Sequence, residues 1–218
     1  MIISVLLLTL FTVTGHASAH DDVKERGEII SRSENANFYS SYWTDGKSKV
    51  TYNNKANGAY SVTWAPGGNF VAGKGWNPGS TKKNVSWTGE FKPEGYSYLS
   101  VYGWTRNPLI EYYIIESYHP DHEPAAPPEG EEKGNFTSDD STYLIRTKMR
   151  VNKPSIVGTA TFRQIFSVRQ DKRENGTVNV QNHFDAWKAA GLKLGSMDYM
   201  ILATEGMNSS GTASITVL

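Results

Sequence analysis

Residues 102–117 read YGWTRNPLIEYYIIES, and the fold turns on how this stretch is interpreted. Alternate side chains of a strand share a face, so Leu109, Glu111 and Tyr113 look one way while Ile110, Tyr112 and Ile114 look the other. The stretch reads as a buried strand with an ionisable carboxylate, Glu111, set among aromatic and apolar neighbours. Burying a carboxylate without a partner costs on the order of several kcal/mol or forces its protonation. Such a glutamate is either a paired structural residue or a working acid, base or nucleophile. The stretch alone leaves both readings open.

On either side of it the same pattern recurs. KVTYNN (49–54), AYSVTWA (59–65), GNFVAGKGW (68–76) and YSYLSVYGW (96–104) are strand-length alternating runs, bounded by turn chemistry such as Asn57-Gly58 and Pro66-Gly67-Gly68. STYLIRTKMRV (141–151) and GTATFRQIFSVRQ (158–170) follow, joined by residues 152–157, a tight proline-containing connection that predicts a projecting hairpin. YMILATEGM (199–207) and TASITVL (212–218) close the chain. One helix is expected over NHFDAWKAAG (182–191), with Asn182 as cap, Phe184 and Trp187 as an apolar stripe packed on the outside of a sheet, and Gly191 as the stop. So many closely spaced strands predict an antiparallel sandwich or jelly roll.

Composition narrows the class. Residues 1–19, MIISVLLLTLFTVTGHASA, form an apolar run ending in Ala17-Ser18-Ala19, which reads as a secretory signal peptide. Residues 20–36 read as a short polar extension, and 37–218 as one domain. Lysine plus arginine number 22, as do aspartate plus glutamate, so no net field favours nucleic acid or an anionic membrane. With no cysteine, a secreted chain must be held by burial and sheet hydrogen bonds, and thiolate zinc is excluded. HPDHEPAAPPEGEEKGNF (119–136) reads as a surface loop. Its His119, Asp121, His122 and Glu123 resemble a metal set, but the prolines disfavour a preformed geometry.

The opening anomaly repeats near the end of the chain. In YMILATEGM, Tyr199, Ile201, Ala203, Glu205 and Met207 share one face, which again sets a carboxylate among apolar and small residues. Two such glutamates facing each other across a groove, each accompanied by tyrosines, are what glycoside hydrolysis requires. One carboxyl protonates the leaving oxygen and the other attacks or activates water.

These residues lie in motifs that resemble the family 11 glycoside hydrolases, the small endo-1,4-β-xylanases. The resemblance rests on FYSSYWTDG, GNFVAGKGW, LSVYGWTRNPLIEYYIIESY, PSIVGTATFRQIFSVRQ, NHFDAWKAAGLKLG and ATEGMNSSGTASITV, in family order across about 37–218. It implies an all-β fold: a β-jelly roll of two curved antiparallel sheets, a sandwich with one α-helix and a thumb hairpin arching over a xylan cleft. It also implies a secreted, monomeric enzyme that hydrolyses internal β-1,4-xylosidic bonds by a retaining double displacement, without cofactor or metal.

By the same resemblance, Glu111 matches the nucleophile and Glu205 the proton donor. Tyr102 and Tyr113 match tyrosines at the cleavage point, and Trp43 matches the stacking tryptophan of the glycone side. Arg150, Gln164 and Tyr199 match polar cleft residues, Phe166 a cleft-wall position where tryptophan is common, and Pro154, Ser155 and Ile156 the thumb tip. Asn69 matches the residue that hydrogen-bonds the acid/base.

Some positions depart from the family pattern. Met207 replaces the usual aromatic after the acid/base glycine, Arg146 makes the thumb base more basic, and the acidic, proline-rich loop replaces a Gly/Ser-rich connection. Sequons at Asn84, Asn135, Asn175 and Asn208 are permissive only, and Asn208 is expected to be bare because it adjoins the cleft. The alternatives are an endo-glucanase on the related jelly-roll fold and a non-catalytic carbohydrate-binding module.

Overall fold

The computed structural model describes residues 38–218, so the expected signal peptide (1–19) and the expected extension (20–36) lie outside the described residues. Two sheets form the body. The larger runs in the order β1 (Tyr39–Thr44), β4 (Asn69–Trp76), β12 (Ser196–Met207), β6 (Ser97–Arg106), β7 (Ile110–Tyr118), β10 (Gly158–Arg169), β9 (Ser141–Ser155), β8 (Glu131–Ser138). The smaller runs β11 (Gly176–Asn179), β5 (Asn84–Glu94), β13 (Ser210–Val217), β3 (Ala59–Trp64), β2 (Val50–Asn54), and one helix, α1 (Val180–Ala189), follows β11. This is the expected jelly-roll sandwich with one helix.

Burial on both faces explains why β6 and β7 read as almost unbroken apolar and aromatic runs. On the convex face of the larger sheet, Leu99, Val101, Ile114, Ile165 and Leu202 join Tyr60, Val62, Trp87 and Ile215 of the smaller sheet in one core. Phe184 and Trp187 of α1 complete it against Tyr112, with ring centroids 5.2 and 6.0 Å away. On the concave face a second apolar cluster holds Tyr98, Tyr102, Trp104, Tyr113, Phe162, Phe166 and Ile201. Close strand approach shapes this sheet at Gly73, where an added Cβ would lie 2.1 Å from the Leu202 carbonyl oxygen, so only glycine fits.

The structure corrects several local readings. All strand pairs are antiparallel except β7–β10, which is parallel. The chain makes a long excursion through β8 and β9 between these strands, long enough for a parallel return. The 119–136 segment is a loop only to Gly130, after which it becomes edge strand β8. That strand is exposed along most of its length, so it carries no apolar period. The thumb strands extend further than expected, leaving a turn at residues 155–158 in which the Ser155 hydroxyl donates to the Gly158 carbonyl at 2.6 Å. The helix starts at Val180, not after Asn182, and Asn182 lies inside it with its side-chain amide donating to Ser138 Oγ at 2.9 Å. At its far end Gly191 does take the left-handed conformation, φ 77°.

Trp187 joins helix to sheet, being fully buried with its indole N–H donated to Ser167 Oγ at 2.9 Å. Trp187→Ala should cost about 3–5 kcal/mol in guanidinium unfolding, from lost burial and the cavity left behind.

Candidate active site

Register brings the concave-face residues together. On β7, Glu111 lies opposite Trp104 of β6 on one side and opposite Gln164 of β10 on the other. Both bulky neighbours leave the carboxylate only 7 % exposed. Tyr102 donates to Glu111 Oε1 at 2.8 Å, and Gln164 Nε2 donates to Oε2 at 2.6 Å. Trp104 Nε1 donates to the Tyr102 hydroxyl at 2.7 Å. An indole N–H can only donate, so the Tyr102 oxygen accepts there and its own proton is directed to Glu111.

Glu205 reaches the same space from β12, where its neighbours in register are Val71 and Tyr98. Its Oε2 is buried and has no hydrogen-bond partner. The Tyr113 hydroxyl acts on both carboxyl groups, opposing the rise of each pKa. Tyr113 is itself held by Phe166, stacked at 4.8 Å and 11°. Tyr199 packs between Tyr102 and Tyr39, at 6.1 and 5.5 Å.

These surroundings separate the two acids. Burial pushes both carboxyls above the ordinary glutamate range. For Glu111 the donors Gln164, Tyr102 and Tyr113 and the positive charge of Arg150 oppose that rise. For Glu205 burial is reinforced by the neighbouring Glu111 charge, opposed by Arg150 and a single hydroxyl, and its pKa is pushed up to about 8. The first ionisation therefore belongs to Glu111, because the donors gathered there stabilise its charge. Glu205 holds its proton to higher pH than Glu111 does.

The groove around them encloses about 910 Å³, and all thirteen site residues read from the sequence line it. Trp43, half-buried on β1, sits on the β1–β4 wall, while Pro154, Ser155 and Ile156 form the thumb side. One expected interaction is missing. Among the described residues no hydrogen bond joins the Asn69 side chain to Glu205, although Asn69, opposite Met207, shares a strand face with Val71 and stands diagonal to the acid. Sequence reading missed Tyr96, Tyr98, Trp104, Lys148 and Lys153, which also line the groove. Strand parity could have found Tyr98 and Trp104, which share the face of Tyr102. Arg146 is not a cleft residue. It is buried and bound to the Pro124 carbonyl at 3.0 Å.

A jelly roll that holds two buried carboxyl groups in unequal surroundings within one aromatic groove is the architecture of a polysaccharide hydrolase. Residues 35–216 match Glycosyl hydrolases family 11, and the chain belongs to that family. It is 51% identical over 180 residues to endo-1,4-beta-xylanase 4 of Pyricularia oryzae, covering 83% of this chain and 76% of that protein. Endo-1,4-beta-xylanase 11A of Botryotinia fuckeliana is 56% identical over 182 residues, with 83% and 78% covered. A solved structure from a comparison of two major endo-1,4-beta-xylanases of Trichoderma reesei superimposes with a TM-score of 0.76. It is 45% identical and covers 83% of this chain and 97% of that one.

The raised acid has a consequence for stability. The folded chain keeps the Glu205 proton up to about pH 8, whereas an unfolded glutamate releases it near the ordinary value of 4.5. Between those values the folded state binds more protons, so the stability Glu205 contributes is full below about pH 4.5 and is lost as pH rises toward 8. Glu205→Gln should match the parent's Tm near pH 4 and exceed it at pH 8 by about 4–8 °C. That corresponds to about 2 kcal/mol once the group's partial solvent contact is discounted. Melting curves from pH 4 to 9 check this.

Proposed function

We propose that the chain is an endo-1,4-β-xylanase that cleaves internal bonds of xylan with retention, Glu111 being the nucleophile and Glu205 the acid/base. The observation that carries this reading is the unequal environment of the two acids in one aromatic groove. Glu111 is surrounded by donors that keep it charged, and Glu205 by a setting that keeps it protonated. A charged carboxylate attacks the anomeric carbon while the protonated one gives its hydrogen to the leaving oxygen. Once Glu111 is esterified its charge is gone and the repulsion that raised Glu205 disappears, so Glu205, having given its proton to the leaving oxygen, stays ionised and can take a proton from the incoming water.

The other groove residues divide the remaining work. Tyr102 and Gln164 hold Glu111 in line, and Tyr113 spans both acids. Trp43 stacks a sugar ring on the glycone side. The thumb, through Pro154, Ser155 and Ile156, closes over the chain, while Arg150 at its base moderates both acids. Tyr199 and Phe166 set neighbouring aromatic walls, and Asn69 touches substrate or solvent rather than Glu205.

A 2-fluoro xylobioside with a good leaving group should stall the enzyme as an ester, and peptide mapping should find the label on Glu111. Label on Glu205, or first products with inverted anomeric configuration, would overturn the assignment. Enzyme not treated with the fluorinated substrate should release reducing sugar from xylan and little from mixed-linkage β-glucan or carboxymethylcellulose. Equal or greater release from either glucan would favour the glucanase reading, and no release from any of them the binding-module reading.

We also infer that the chain is exported and acts as a monomer. No helix among the described residues is long and apolar enough to cross a membrane, and residues 1–19 carry the signal-peptide pattern. Protein recovered from culture medium should begin at His20. An amino terminus at Met1 would remove the signal-peptide reading.

A further inference from the structure

A second cavity, of about 350 Å³, opens beside the cleft, and Tyr96 and Ala125 line both spaces. Its remaining wall is the proline-rich loop, through Asp121, His122, Glu123 and Glu129 among others. This loop is tied down along its length. Buried Arg146 donates to the Pro124 carbonyl at 3.0 Å and pairs with Glu123 at 3.2 Å, and Lys148 pairs with Glu129 at 2.5 Å. The Ala126 carbonyl accepts from the backbone of both Glu129 and Gly130. Tyr96 is held from two directions: His122 stacks on its ring at 5.1 Å and 23°, and the Tyr98 hydroxyl donates to its hydroxyl at 2.9 Å.

We propose that this cavity is a side pocket for a neutral pentosyl branch carried by a xylan chain lying in the cleft, with Tyr96 as the contact surface and His122 as a positioning residue. The inference rests on the xylanase reading above and names a substrate feature for it. A branch leaves the main chain sideways, and this pocket adjoins the groove across the shared wall of Tyr96 and Ala125. The C–H face of a sugar packs on an aromatic ring, and carboxylates accept its hydroxyl protons. The sign of the charge selects the branch. Arg146 and Lys148 are each already bound to a carboxylate of the loop, and Asp121 has only His119, at 3.8 Å. A uronic acid branch would therefore meet uncompensated negative charge, and a neutral pentose would not. Because the loop is already ordered, binding a branch there costs little rearrangement.

Steady-state kinetics on three substrates, arabinoxylan, glucuronoxylan and linear xylohexaose, test the proposal. His122→Ala should lower kcat/KM on arabinoxylan by about three- to tenfold, the range expected for one aromatic contact, and leave the other two substrates within about twofold. His122→Phe, which keeps the stack, should restore the parent's value on arabinoxylan. Tyr96→Ala should lower arabinoxylan more than linear xylohexaose. Equal losses on all three substrates, or no loss on arabinoxylan, would overturn the side pocket while leaving the xylanase reading intact. A parent that hydrolyses none of the three would overturn both.

Discussion

One cleft has to hold two carboxyl groups away from water while letting only one of them carry charge, and much of the concave face answers to that constraint. Burial alone raises both acids, so it cannot tell them apart. The distinction comes from counting donors. Glu111 receives Tyr102 and Gln164, while Glu205 Oε2 receives none. Each acid's charge also acts on the other, so the first ionisation obstructs the second. A proton-bearing acid and a charged partner follow from placement, without any unusual residue.

That placement depends on strand register. Trp104, Glu111 and Gln164 stand side by side across three strands because β6 runs antiparallel to β7 while β10 runs parallel to it. A one-residue slip of β10 would turn Gln164 and Phe166 away from the groove and put Ile165 in their place. The fully buried convex face makes such a slip costly, since Ile165 belongs to the core between the sheets. The core that stabilises the fold therefore also fixes the hydrogen bonds of Glu111.

Strand β9 connects the cleft to its surroundings. Arg146, Lys148 and Arg150 lie at alternate positions and so share its concave face. Arg146 and Lys148 fasten the proline-rich loop, and Arg150 acts on both acids. One short basic series thus sets the end wall of the groove and tempers its charge. Most surface ion pairs contribute little to stability, but Arg146 is 4 % exposed and bonded to a backbone carbonyl as well, so its contact with the loop is of the buried, geometry-fixing kind.

Much of this was legible in the sequence because a strand's period of two is rigid. Glu111 with Tyr113, and Glu205 with Tyr199, could be assigned to common faces by counting, and two carboxylates inside apolar runs marked the site. Motif order supplied the jelly roll, the thumb and the facing of β7 and β12. Some elements left no periodic trace: edge strand β8 is exposed along most of its length, and the start of α1 has no capping side chain, Asn182 turning instead to Ser138. The sequence by itself determined which residues alternate inward and that two of them are acids. Only the tertiary structure decided that β7 and β10 run parallel, that Asn69 misses Glu205, and that Arg146 serves the loop and not the cleft. Those outcomes depend on which strands lie next to each other, and contacts between residues distant in the chain leave no period in the sequence.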